Sequence, residues 1–300
     1  MSCLHPTVAY YDARLNPPKV LFKPREEWLV FGRLPDGVST IALPCGKCFG
    51  CVKSRALDIT VRAVAESRVH DVSSFVTLTV NEDYVNEIFP HGLEHRPFQL
   101  FAKRLRKKIG KFSYLMCGEY GPQTLRPHYH CIIFGHYFVD SNFETQSKIL
   151  RDAWSYGNIS IDLINTNRIA YVAGYTCKDF AIGRTKDFYK SRGLGLPYVK
   201  WSRRPSLGLR YLQKYWSDLL DDDFNLSFVL DGKEFKFGCR YFVQKLQLIS
   251  PENFAKLKAA QRDRFLDEDF ITAIMRHSDN QRRLQVQKYN LARKRENAIL

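Results

Sequence analysis

Apolar positions recur along this chain with two periods, and the switching between them lays out a fold. From Val52 to about His70, residues Val52, Ala56, Ile59, Ala63 and Val64 keep helical spacing, which predicts an amphipathic helix. SFVTLTV (74–80) is a run of apolar and β-branched residues and predicts a strand, closed by the turn chemistry of Asn81, Glu82 and Asp83. RPFQLFAKRLRKKIG (96–110) returns to the helical period. Phe98, Phe101, Leu105 and Ile109 form one stripe, Lys103, Arg104, Arg106, Lys107 and Lys108 cover the rest, and Gly110 is placed to stop it. KFSYLMCGEY (111–120) and HYHCIIFG (128–135) read as two strands of a hairpin with a longish connection. A helix at about 144–155, a strand at 157–164 and a helix at 166–180 opened by a Thr/Asn cap follow.

A hairpin inside this order predicts an α+β fold, with a central antiparallel sheet and helices on one face, not a doubly wound parallel sheet. Residues 1–44 lack clear periodicity and read as an irregular arm, and 188–210 as a basic, aromatic loop. SFVLDGKEFKFG predicts a hairpin around Asp231-Gly232, and 252–296 read as charged helices, so the C-terminal part is mixed helix and hairpin. The expected organisation is an arm and helix over 1–70, a core over 71–182, and a basic loop with an accessory region over 183–300.

Composition changes this picture in two ways. A net charge of +15 favours a polyanionic partner, nucleic acid or an anionic membrane surface. No apolar run approaches a membrane span and the N-terminus lacks a signal-peptide layout, so nucleic acid is the expected partner and the cytoplasm the expected compartment. In that setting the eight cysteines are expected as thiols or metal ligands rather than disulfides. Cys45, Cys48 and Cys51 have the CxxCxxC spacing of metal clusters, with Cys3 available as a fourth ligand for zinc, though free thiols at a helix start fit the spacing too. Cys117, Cys131 and Cys177 sit in apolar patterns and read as small buried hydrophobes.

Candidate chemistry centres on RPHYHCIIFG (126–135). In a strand, residues two apart face the same way, so His128 and His130 project together with Ile132 and Phe134 behind them. If the two strands pair, Glu119 falls beside the histidines. Two imidazoles and a carboxylate leave open positions that suit Mg²⁺ or Mn²⁺ on a phosphate. A solvated turn residue and strand-capping histidines are the bland alternative. Tyr171 and Tyr175, a helical turn apart, place two phenols on one helix face with Lys178 a further turn on. The pair reads either as nucleophiles served by a metal and a cation or as a packed aromatic stripe. Gly174 between them weakens the helix, which argues for close approach of another strand or a nucleotide.

The set FVTLTV, CGEYG, RPHYHCIIFG, YVAGYTCKD and SRRPSLG resembles the replication initiation proteins of gokushoviruses, small single-stranded DNA phages within the Microviridae, over roughly residues 40–215. That family belongs to the HUH endonuclease superfamily. The resemblance implies a nickase for rolling-circle replication in the cytoplasm of a bacterial host. One tyrosine would attack an origin phosphodiester in single-stranded or supercoiled DNA, leaving a 5′-phosphotyrosine and a 3′-OH for the host replication machinery. The second would act in the transfer that closes the circle. By position it implies Tyr171 and Tyr175 as nucleophiles, His128, His130 and Glu119 as ligands, and Lys178 beside the second tyrosine. Gly174 and Asp179 stand where the family commonly carries basic residues. The basic helix and the 184–204 loop, with Lys103, Arg104, Arg106, Lys107, Arg203 and Arg204, are the expected DNA surfaces. The rival reading is a non-catalytic DNA- or RNA-binding protein with a cysteine zinc module, which leaves the tyrosine–histidine arrangement unexplained.

Overall fold

A computed structural model of the chain describes residue 3 and residues 7–30, 34–121, 123–138, 143–181, 184, 186–230 and 232–266. The first segment is not an irregular arm. Strands β1 (Thr7–Asp12) and β2 (Lys19–Leu21), a short helix α1 (Glu26–Val30) and strand β3 (Val38–Leu43) build an antiparallel sheet in the order β2-β1-β3. TVAYYD and VSTIAL are rich in Val, Thr, Tyr and Ile, the residues a pleated surface accommodates best, and the proline-rich stretch between them hides the pattern. Asp12 is buried at the end of β1, and the Arg14 guanidinium bonded to it holds its carboxyl down at about 2, against the cost of burial.

The chain continues through α2 (Phe49–Ser67), β4 (Ser73–Thr79), α3 (Glu82–Ile88), α4 (His95–Ile109), β5 (Ser113–Tyr120) and β6 (Pro127–Phe134). Helix α3 lies where a turn was expected. Asn81 stands at its N-cap position with Glu82 and Asp83 in its first turn, and the residues that end a strand here also start a helix. Next come α5 (Phe143–Ala153), β7 (Ile159–Leu163), α6 (Thr166–Ala181), α7 (Lys186–Lys190), β8 (Tyr198–Trp201) and α8 (Leu209–Tyr215). The hairpin β9 (Ser227–Leu230) and β10 (Lys233–Lys236) precedes α9 (Arg240–Ile249) and α10 (Pro251–Leu266). The expected charged helices beyond 266 lie outside the described residues. Asn165, not the Thr166-Asn167 pair, caps α6: its Oδ1 accepts the Arg168 N–H at 2.8 Å.

Five strands form the central sheet in the order β7-β4-β6-β5-β8, every neighbouring pair antiparallel. The α+β class and central antiparallel sheet stand as expected, consistent with an HUH-type fold. Two details differ. First, YVKW (198–201), expected within a loop, supplies the edge strand beside β5, since an aromatic and β-branched run fits a half-covered edge. Second, helices pack on both faces rather than one. Cys131 and Ile133 of β6 are buried with Phe98, Phe101 and Leu105 of α4 and Leu150 of α5. Ile132 and Phe134 of the same strand are buried with Val61 and Val64 of α2 and Val172 of α6. A strand apolar on both sides demands cover on both.

The SRRPSLG segment docks against α2. Buried Arg62 donates to the Leu207 carbonyl at 3.1 Å and to Ser206 at 2.8 Å, and Glu66 accepts the Gly208 N–H at 2.9 Å. Burial pushes the Glu66 carboxyl up, but hydrogen bonds from His70, Gly208 and Ser113 outweigh it and hold it below its ordinary value. Gly208 has φ +78° and a Cβ there would meet the Arg62 carbonyl at 2.9 Å, so the motif requires glycine.

Candidate active site

The pairing of β5 with β6 sets Glu119 opposite His128 and Cys117 opposite His130. On the other side of β6, Thr79 is opposite His128 and Thr77 opposite His130. Because register fixes the face, the carboxylate and the two imidazoles meet on one side of the sheet, as the strand spacing predicts. Glu119 Oε1 lies 3.0 Å from His130 Nε2. The two are not aligned as a hydrogen bond, and among the described residues that buried nitrogen has no hydrogen-bond partner.

Each ring is oriented from behind. His128 Nδ1 donates to the Arg126 carbonyl at 2.8 Å, which leaves Nε2 with its lone pair. His130 Nδ1 lies 2.9 Å from the Thr77 hydroxyl, and when it donates there Nε2 is likewise a free donor atom. Burial also lowers the pKa of His128, favouring the neutral ring that a metal needs. Two neutral imidazoles and a carboxylate, one imidazole nitrogen buried without an aligned partner, fit a divalent cation. The set is not contracted: among the described residues only Cys3, Cys45, Cys48 and Cys51 bring all their ligand atoms within 4.8 Å of one another.

Helix α6 crosses this face and treats its two tyrosines differently. Tyr171 is 40% exposed, yet its hydroxyl donates to Glu119 Oε2 at 2.9 Å. Its ring meets His130 edge-on at 5.4 Å between centroids. Tyr175 is 3% exposed, within the core cluster that contains Cys117 and Val172. The two rings meet edge-on at 6.2 Å, so they do share a helix face. Burial and the Glu119 charge push the Tyr171 phenol above its ordinary pKa. Lys178 lies in α6, with its side chain outside the described set.

A family model of replication-associated proteins of the ORF2 type matches residues 73–180. The chain is 30% identical over 201 residues to replication-associated protein VP4 of Bdellovibrio phage phiMH2K, covering 61% of each. It is 30% identical over 229 residues to replication-associated protein ORF4 of Chlamydia phage 1, covering 70% of this chain and 55% of that one. To replication-associated protein ORF2 of Spiroplasma virus 4 it is 27% identical over 224 residues, covering 69% and 68%. The chain is a relative of phage replication-associated proteins. It spans less than two thirds of the length of the first two of them. No solved structure matches it. The resemblance read from the five motifs therefore stands, and the shared 73–180 region holds both histidines, Glu119 and both tyrosines.

In this phage relative the expected DNA-contacting cations separate into two groups. Arg106, Arg203 and Arg204 line one cavity of about 910 Å³ together with Lys111, Lys200 and Arg210. Among the described residues none of these six pairs with a carboxylate. The cavity lies at the end of β5 and β6 away from Glu119 and His128, with Tyr114 and Trp201 in its wall. Arg104, by contrast, donates to the Ala153 carbonyl and Ser155 at 3.3 Å, tying α4 to the end of α5. Lys103 and Lys107 face solvent.

Sequence reasoning missed Thr77, the Arg126 carbonyl and Arg168. Arg168 precedes Tyr171 by one turn, pairs with Asp162 at 3.0 Å and covers Phe75, whose ring stacks on His130. Strand register could have found Thr77. Nothing in the sequence flags a backbone carbonyl. The eight cysteines are all free, and Cys117 and Cys131 are fully buried. The four-cysteine cluster could hold a metal ion.

Proposed function

We propose that the chain initiates phage DNA replication by cutting one strand at an origin through a phosphotyrosine intermediate, with Tyr171 as the first nucleophile. The observation that carries this reading is the hydrogen bond from a half-open Tyr171 to Glu119, whose other oxygen lies against His130. A divalent ion, Mg²⁺ or Mn²⁺, held by His128, His130 and Glu119 would polarise the scissile phosphate when bound. With its pKa raised, Tyr171 keeps its proton at rest. Glu119 Oε2 is the base placed to take that proton as the phenolic oxygen bonds to phosphorus. The bond from phosphorus to the 3′ oxygen breaks, and that oxygen takes a proton from solvent.

The products are a 5′-phosphotyrosine and a 3′-OH that a host polymerase can extend. Tyr175 is the second nucleophile for the later transfer, and its burial supports using it after Tyr171 rather than first. Lys178 supplies a cation near the second phenol. Single-stranded origin DNA is the substrate, and the host cytoplasm is where it is met. The cation-lined cavity with Tyr114 and Trp201 is suited to phosphates and unpaired bases, and Lys103 and Lys107 extend the positive surface. No helix among the described residues is long and apolar enough to cross a membrane.

A labelled single-stranded origin oligonucleotide incubated with the protein and Mn²⁺, then run under denaturing conditions, tests the reading. A covalent adduct that requires metal and is absent in Tyr171→Phe supports it. DNA binding without any adduct, across a panel of candidate origins, would replace it with the non-catalytic binding protein.

A further inference from the structure

The CxxCxxC stretch lies outside the cleavage chemistry, and its fourth partner comes from the far side of the N-terminal sheet. In β1 and β3, Thr7 pairs with Leu43. The chain therefore runs off the same end of this sheet from Thr7 back toward Cys3 and from Leu43 on toward Cys45. That register brings together residues 42 positions apart: the Cys45 N–H donates to Cys3 Sγ at 3.2 Å. Cys48 Sγ lies 3.9 Å from Cys3 Sγ, and Cys45 Sγ lies 4.0 Å from Cys51 Sγ. Thiolates at ~2.3 Å around a tetrahedral zinc stand about 3.8 Å from one another, whereas a disulfide needs about 2.05 Å. All four ligand atoms lie within 4.8 Å of one another, so one ion can reach them all.

The backbone is shaped for thiolates as well. The Cys48 N–H donates to Cys45 Sγ at 3.3 Å, which stabilises negative sulfur. Gly46, inside this loop, has φ +72°, a conformation that glycine adopts freely. Four thiolates and one Zn²⁺ leave a net charge of −2. Lys47, Lys53 and Arg55 surround the site in sequence, with no carboxylate between Cys45 and Leu57. Arg55 folds back to the Gly46 carbonyl at 3.5 Å.

We infer that Cys3, Cys45, Cys48 and Cys51 bind one structural Zn²⁺ that fastens the N-terminal sheet to the first turn of α2. That sheet needs a fastener. Val8 is 59% exposed and Phe22 68% exposed, so three short strands bury little of their own. Lys53, a turn into α2, lies near enough to Cys177 on α6 to act on its thiol. The zinc thus braces the helix pair that carries Tyr171. Each cysteine gives up its proton to solvent as the ion binds.

The test uses the full chain, with metal content measured by mass spectrometry and a thiol-reactive dye to count accessible cysteines. About one zinc per chain is expected, with the four thiols protected until a chelator is added. Cobalt substitution should give the visible bands of a tetrahedral thiolate complex. Cys3→Ser should lose its zinc to a chelator that leaves wild type loaded, while Cys177→Ala keeps it. Wild type that takes up no zinc on titration, that carries iron instead, or Cys3→Ser holding zinc as firmly as wild type would each overturn the inference. None of these readings involves DNA, so they are independent of the strand-cleavage proposal.

Discussion

Alternate residues of β6 lie in two different environments. Tyr129, Cys131 and Ile133 are fully buried on the α4 and α5 side, and the Tyr129 hydroxyl is spent on the Glu94 carbonyl at 2.7 Å. Ile132 and Phe134 are as deeply buried on the other side, beneath α2 and α6. Toward the start of the strand that second face changes character. His128 and His130 are only partly covered and stand beside Glu119 and a half-open Tyr171. One face is closed along its length. The other is core for half its length and polar at its end, where lone pairs can still be served by solvent, an ion or a substrate. Pleating alone separates the residues that hold the sheet together from those available for chemistry.

The sharpest way to break this comparison is to change one residue from each face. Tyr171→Phe removes the only atom that could bond to phosphorus, so the covalent adduct should vanish while the denaturation midpoint barely moves, since one hydrogen bond to a partly solvated group is worth about 1 kcal/mol. Tyr129→Ala should do the reverse. It empties a fully buried aromatic site and should cost about 3–5 kcal/mol of stability by denaturant titration, while the folded fraction still cleaves.

Thr77→Val comes next, because it removes the group that orients His130. It should weaken Mn²⁺ activation about 10–100-fold, read as a shift in the metal concentration giving half-maximal cleavage. In the cavity at the opposite end of the sheet, Arg203→Ala should lower the slope of log affinity against log salt by about 1, for cleavable and uncleavable oligonucleotides alike. The smallest effect belongs to Gly174→Ala. A Cβ there meets no atom within 4 Å, so stability should rise by about 0.4–1 kcal/mol. A fall in cleavage despite that gain would mark the helix face along which DNA approaches.

Much of this was legible in the sequence wherever a pattern ran long enough. The α4 stripe Phe98, Phe101 and Leu105 was readable and is fully buried. The His128–His130 pair and its meeting with Glu119 followed from strand period and one hairpin. The N-terminal sheet was not legible, because its strands are short and joined by a proline-rich stretch. Nor was the strand YVKW, whose Gly/Pro-rich and basic neighbours look like loop. The inequality of the tyrosines was also hidden. Spacing puts both phenols on one helix face, but how deeply the helix sinks between Glu119 and Cys117 depends on contacts far apart in sequence.

The most direct test of the central claim is to trap the adduct with wild-type protein and Mn²⁺, digest it, and locate the modified tyrosine by mass spectrometry. The account predicts the nucleotide on Tyr171 in the first turnover, with Tyr175 modified only when a free 3′ end or a second origin strand is supplied. A first-turnover adduct on Tyr175 alone, with Tyr171→Phe still cleaving at the wild-type rate, would contradict it.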